Sequence, residues 1–290
     1  MKYVTYVCGG EQTAGILSED MKSVHSFKDA GLAYDDMLKF IQNHCESDIE
    51  KLKEIEKKDG VPVQEVKLIA PVPHPHHDVI CLGLNYMDHA KESKSVKDSK
   101  EIKRDEAIYF AKRVVQALGS DGVIDSHSGI TNSLDYEAEL AVVISKDARG
   151  VKKEDAWDYV FGLMCFNDVS AREIQRRHNQ WFFGKSLDTF TAFGPWIVSV
   201  DEFRFPLELQ LTSRVNGELR QNGNTKDMIF PVDYVIEELS SGITLDAGTI
   251  IATGTPAGVG AGFSPAKFMK PGDVCEIEIQ GCGILRNTVG

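Results

Sequence analysis

Asp135–Tyr136–Glu137–Ala138–Glu139 runs without a break into Leu140–Ala141–Val142–Val143–Ile144. The apolar run reads as a β-strand. Side chains two apart on a strand share a face, so Glu137 and Glu139 point the same way. Two like charges at the mouth of a buried strand call for compensation, usually by a cation. The pattern alone leaves a second reading open: an exposed edge strand carrying two solvated carboxylates.

Further along, Val160–Phe161–Gly162–Leu163–Met164–Cys165–Phe166 is another nearly continuous apolar strand, and it ends at Asn167–Asp168. Polar groups just past a buried strand are where sites tend to form, so Asp168 joins Glu137 and Glu139 as a candidate ligand. Three carboxylates make a hard, all-oxygen set that favours Mg²⁺ or Mn²⁺ over zinc.

Around these two strands the chain is strand-rich. LTSRVNG (211–217), GTIIATG (248–254) and DVCEIEIQG (273–281) read as strands. SAREIQRR (170–177) and PVDYVIEELSSG (231–242) read as helices, the second with Gly242 as its C-cap. Many strands and few long helices argue for a mainly β fold with α/β elements and against a doubly wound sheet. Residues 1–27 show short alternating strands, and Ala33–Lys58 shows helical spacing whose charged face is solvated. The proline-rich Pro71–Asp78, PVPHPHHD, is too stiff for a helix. A boundary near residue 72 therefore predicts a small α+β front domain over 1–72 and a strand-rich body over 73–290.

Composition narrows the function. Of 290 residues, 32 are Lys or Arg and 44 are Asp or Glu, a formal charge of −12 that repels phosphate backbones and disfavours nucleic acid as a partner. No stretch has the length of a membrane span, and the start MKYVTYVCGGEQTAG lacks a signal peptide's apolar run. Six scattered cysteines without a CxxC predict free thiols and a reducing, cytoplasmic setting.

Among the histidines, His74, His76 and His77 resemble a metal cluster at first sight. They sit in the stiff segment with only Asp78 as a nearby acid, so a surface role is expected. His89 and Glu92 lie three apart in Asp88–His89–Ala90–Lys91–Glu92 and would share a face of a helical turn, a carboxylate orienting a basic imidazole. Lys185, set in QWFFGKS (180–186), is a cation among aromatics, suited to a carboxylate or an enolate, though a snorkelling lysine fits the pattern too. The run TGTPAGVGAG (253–262) is neither a P-loop nor a dinucleotide fingerprint. It is expected to form a tight loop offering backbone N–H groups and the Thr255 hydroxyl to an anion.

GLNYMDHAKE (83–92), LDYEAELAVVI (134–144), FNDVSAREIQ (166–175), QWFFGKSLDTF (180–190), VNGELRQ (215–221), MIFPVDYVI (228–236), GTIIATGTPAGVG (248–260) and PGDVCEIEIQGCG (271–283) occur in order. Together they resemble the fumarylacetoacetate hydrolase family, and within it the bacterial acylpyruvate hydrolase and oxaloacetate decarboxylase branch. The resemblance implies a mixed β-sandwich roll, usually a homodimer. It implies one Mg²⁺ or Mn²⁺ per subunit on Glu137, Glu139 and Asp168. It places a histidine–glutamate dyad, on a mobile lid, on His89 and Glu92, with Ser93–Glu106 expected as the moving lid or its hinge, and a substrate-facing lysine on Lys185. Arg172, Gln175 and Thr255 are the implied substrate contacts, while Leu84 stands where relatives often carry Arg or Lys. The implied reaction is C–C cleavage of a small 2-oxo acid: oxaloacetate decarboxylation or acylpyruvate hydrolysis. Isomerase or hydratase chemistry on 2-hydroxy-2,4-dienoates is the enzymatic alternative, and an inactive binding homologue the non-enzymatic one.

Overall fold

The structure, a computed structural model, describes residues 1–92 and 106–290. The expected lid over Ser93–Glu106 therefore lies, but for its last residue, outside the described residues. The Ala138–Ile144 strand sits inside an eleven-stranded sheet, paired antiparallel with Val160–Asp168 on one side and Ile250–Ala252 on the other. All seven of its residues are buried. Leu140, Val142 and Ile144 enter one apolar core, and Ala141 and Val143 enter a second on the opposite face. A strand covered on both faces has no polar side to show, which accounts for the unbroken apolar run and excludes the exposed edge strand. Each fully buried Val, Leu or Ile contributes roughly 1.5–3 kcal/mol.

From the far edge inward, the sheet runs Val61–Pro62, Ser23–Ser26, Glu11–Leu17, Lys2–Cys8, Thr191–Ser199, Val160–Asp168, Ala138–Ile144, Ile250–Ala252, Val79–Gly83 and Ile108–Lys112. Lys67–Ile69 lies off this path and pairs antiparallel with Lys2–Cys8. Nearly all pairings are antiparallel; Val79–Gly83 runs parallel to Ile250–Ala252. A five-stranded sheet of Glu218–Asn224, Gln210–Val215, Val274–Ile279, Gly283–Val289 and Val123–Ile124 covers the first core. This is the mainly β architecture the strand-rich sequence led us to expect. The front segment joins the same sheet, because Lys2–Cys8 pairs with Thr191–Ser199. Its aromatic core is shared as well: Tyr3 lies 4.7 Å from the Phe161 ring.

Both expected helices are present, as Arg172–Arg177 and Val232–Gly242. Gly242 is the last helical residue and the cap is Ile243, in extended conformation, so no left-handed glycine ends this helix. Among the described residues, no helix is long and apolar enough to cross a membrane.

Candidate active site

Antiparallel register brings the acidic groups together. Ala138 is opposite Asn167, and the Asp168 N–H donates to the Glu137 carbonyl at 3.0 Å, so Glu137 and Asp168 are cross-strand neighbours. Glu139 follows two residues on, along the same face. Each of the three carboxylates offers one oxygen to a group whose ligand atoms all lie within 4.8 Å of one another. Their residues are at most 5% exposed, so their charges need partners.

Those partners are cations. The Lys185 Nζ donates to Glu137 Oε2 at 2.7 Å and to Asp168 Oδ2 at 2.6 Å. Lys112 Nζ donates to Asp168 Oδ1 and, at 3.0 Å, to the Val169 carbonyl. Arg172 NH1 meets Glu137 Oε1 at 2.6 Å, and Arg172 Nε meets Asp135 Oδ2 at 2.7 Å. Lys185 is thus a buried bridge between two carboxylates and not a snorkelling surface lysine. Burial opposes its charge, but Asp168 and Glu137 hold its pKa above the usual lysine value. Burial lowers the pKa of Lys112 despite the support of Asp168. For Glu137, burial works against its charge, yet Lys185 and Arg172 bring its pKa below the ordinary range.

Glu139 is the exception. Its Oε2 accepts the Gly254 N–H at 2.8 Å, while its buried Oε1 has no hydrogen-bond partner among the described residues. Burial, with Asp168 and Glu137 beside it, pushes its pKa well above the ordinary carboxylate value. Among the described residues, four carboxylates (Asp135, Glu137, Glu139, Asp168) face three cations (Lys112, Lys185, Arg172), and the deficit falls on Glu139. A partnerless carboxylate oxygen, in a hard oxygen set short of one positive charge, fits a divalent cation held by Glu137, Glu139 and Asp168. A second orphan, the buried Arg172 NH2, is a donor without an acceptor among the described residues.

A cavity of about 410 Å³ opens onto this cluster, with Glu137, Arg172, Lys185, His89, Glu92 and Gln175 in its wall. His89 and Glu92 sit on the short Met87–Glu92 helix, with His89 Nδ1 3.4 Å from Glu92 Oε2. Gln175 Oε1 accepts from Arg172 NH1 at 3.1 Å. Thr255 also lines the cavity, but its hydroxyl donates to the Ala138 carbonyl at 2.8 Å and accepts from Gln221 at 2.6 Å. The expectation for the glycine-rich loop needs correction. Its N–H groups do hold anions, but these are the chain's own. Gly254 serves Glu139, Gly258 serves Glu92, and Gly260 and Ala261 serve Asp135. The loop sets the carboxylates in place.

Two site residues escaped the sequence reading. Lys112 ends the Ile108–Lys112 strand two residues after Phe110, which lines the cavity, and nothing within that strand marks Asp168 as its partner. Asp135 opens the acidic run, and nothing local marks it as the partner of Arg172. The expectation that His76 and His77 have no nearby acid but Asp78 also fails. Both rings reach Asp246, while Asp78 faces Arg113.

The sequence profile for the fumarylacetoacetate (FAA) hydrolase C-terminal family matches residues 78–290. The chain belongs to the fumarylacetoacetate hydrolase family. Among its family relatives, oxaloacetate tautomerase YisK of Bacillus subtilis (strain 168) is 49% identical over 228 residues, 79% of this chain and 74% of that protein. The solved structure of a fumarylacetoacetate hydrolase from psychrophilic Exiguobacterium antarcticum gives a TM-score of 0.84 at 37% identity, covering 100% of this chain and 99% of that one. Maleylpyruvate hydrolase from Sphingobium sp. SYK-6, in complex with manganese(II) ion and pyruvate, gives a TM-score of 0.76 at 28% identity, covering 100% and 98%.

Proposed function

We propose that this chain is a divalent-cation-dependent enzyme of small 2-oxo acids, and that its leading reaction is keto–enol tautomerisation of oxaloacetate. The observation that carries the reading is the pair of buried orphans, Glu139 Oε1 and Arg172 NH2, in one charged cluster beside a cavity. One needs a cation and the other an anion, and a 2-oxo acid with its metal supplies both. The name of the 49% identical relative favours tautomerisation over the C–C cleavage expected from the sequence.

Glu137, Glu139 and Asp168 would hold Mg²⁺ or Mn²⁺, which as a Lewis acid polarises a 2-oxo group and steadies charge on that oxygen. Arg172, fixed by Asp135 and Glu137, presents NH2 to the substrate 1-carboxylate. Lys185 holds Glu137 and Asp168 together against their mutual repulsion. His89 removes the proton from C3 through Nε2, the ring nitrogen that does not face Glu92. Glu92 orients the ring through Nδ1 and stabilises the imidazolium. Return of a proton to the 2-oxygen completes the keto-to-enol direction, and the reverse sequence gives ketonisation.

C–C cleavage of the same class of substrate is the second reading. It is favoured by the structural likeness to the hydrolase solved with manganese and pyruvate. There His89 would deprotonate water in place of C3. The test is to supply purified protein with enol oxaloacetate, and separately with acetylpyruvate, following loss of enol absorbance and formation of pyruvate. Faster ketonisation than the metal-only background supports the first reading. Pyruvate release without it supports the second, and neither activity defeats both.

A further inference from the structure

The two parallel strands of the large sheet, Val79–Gly83 and Ile250–Ala252, start at the same end. His76 lies three residues ahead of the first and Asp246 four ahead of the second. The sheet therefore brings together groups 170 positions apart. His76 Nε2 lies 2.8 Å and His77 Nε2 3.2 Å from the same oxygen, Asp246 Oδ2. We propose that His76, His77 and Asp246 form a second cation site, for a transition-metal ion of the zinc class, separate from the carboxylate triad.

The distances fit. At zinc bond lengths of about 2.0–2.1 Å, tetrahedral ligand atoms sit roughly 3.3 Å apart. The two nitrogen–oxygen separations need to open by no more than about 0.5 Å to admit the ion. Two imidazoles and one carboxylate suit Zn²⁺, Co²⁺ or Ni²⁺, whereas the all-oxygen triad suits Mg²⁺ or Mn²⁺. One chain thus offers two sites of different chemical preference. The cluster lies at the surface, where the His77 side chain is 59% exposed.

The ligands are held in advance of any ion. Asp246 Oδ1 accepts the Thr249 hydroxyl at 2.9 Å, leaving Oδ2 to the histidines. Such supporting contacts fix a ligand's orientation. Gly248 adopts φ +95° in the same turn, and a Cβ there would come within 3.2 Å of His76 Cε1, so the ring packs closely on the turn. Pro73 and Pro75 stiffen the histidine segment and reduce the order that binding must impose. The same turn touches the front segment, where Gln42 Nε2 donates to the Ala247 carbonyl at 3.4 Å. An ion here clamps the crossing segment to the turn that feeds Ile250–Ala252.

Co²⁺ is the probe, added to the full chain with Mg²⁺ in excess. Wild type is expected to develop the visible bands of four-coordinate Co²⁺ with one equivalent bound, displaced by Zn²⁺. Glu139→Gln should keep those bands. His77→Ala, His77→Gln and Asp246→Asn should each weaken Co²⁺ binding roughly ten- to hundredfold, the loss that removal of merely supporting contacts already gives. Metal-free thermal unfolding checks that each variant folds, and any one folded variant suffices to decide. Absence of the bands in wild type overturns the proposal. So does unchanged affinity in the folded variants, or loss of the bands in Glu139→Gln alone.

Discussion

At the scale of single residues, the site is a set of charges with one term missing. Glu139 shows it through proton linkage. Its folded-state pKa is raised, so in metal-free protein its protonated form stabilises the fold at low pH. That contribution is lost as pH climbs from the ordinary carboxylate range through the raised value. Metal-free wild type should therefore lose stability relative to Glu139→Gln over that interval, and thermal unfolding against pH checks it. A gap independent of pH would mean that Glu139 is not strained by its neighbours. Metal binding should release a proton in the same interval, seen as a buffer-dependent heat in calorimetry. Lys185 bears the opposite role. Lys185→Met leaves Glu137 and Asp168 facing each other with one cation fewer, and should cost roughly 3–5 kcal/mol in denaturant unfolding. These charge relations were only half legible beforehand. Glu137, Glu139 and Asp168 announced themselves by strand spacing and position. Lys112 and Asp135 did not, because a buried ion pair between distant segments leaves no local pattern.

At the scale of elements, register and loop conformation do the positioning. The Ala138–Ile144 and Val160–Asp168 strands were readable as strands from their apolar runs, and their pairing is what sets Glu137 against Asp168. The glycine-rich loop was readable as a loop but not as the holder of Glu139, Glu92 and Asp135, since the sequence does not say which anion a row of N–H groups will meet. Gly262 gives a test. A Cβ there would overlap Glu92 Oε1, which also accepts from the Gly258 N–H. Gly262→Ala should displace Glu92 and slow turnover while leaving metal affinity unchanged. His89→Ala should cost on the order of 10²–10⁴ in kcat/KM. A Gly262→Ala variant with full activity would remove Glu92 from the proton relay.

At the scale of the whole molecule, one sheet carries both the front segment and the site. Lys2–Cys8 covers the edge of Thr191–Ser199, and Tyr3 and Phe40 share a core with Phe166 and Phe193. Residues 73–290 alone would expose an apolar strand edge and half a core. They should be insoluble or melt far below the full chain, which should unfold in one transition. A well-folded 73–290 fragment would show that the front segment is dispensable. The composition break near residue 72 was visible in the sequence, but sheet pairing across it was not, because strand partners are chosen by tertiary packing. The proposed reaction is a cation-assisted proton transfer in the cavity beside Glu137, Arg172 and Lys185. The most direct measurement is the rate of oxaloacetate ketonisation by one protein sample, taken as purified, after dialysis against chelator, and after Mg²⁺ or Mn²⁺ is restored. The expected result is loss of activity above background on dialysis and its recovery with metal. Full activity in metal-free protein would contradict it.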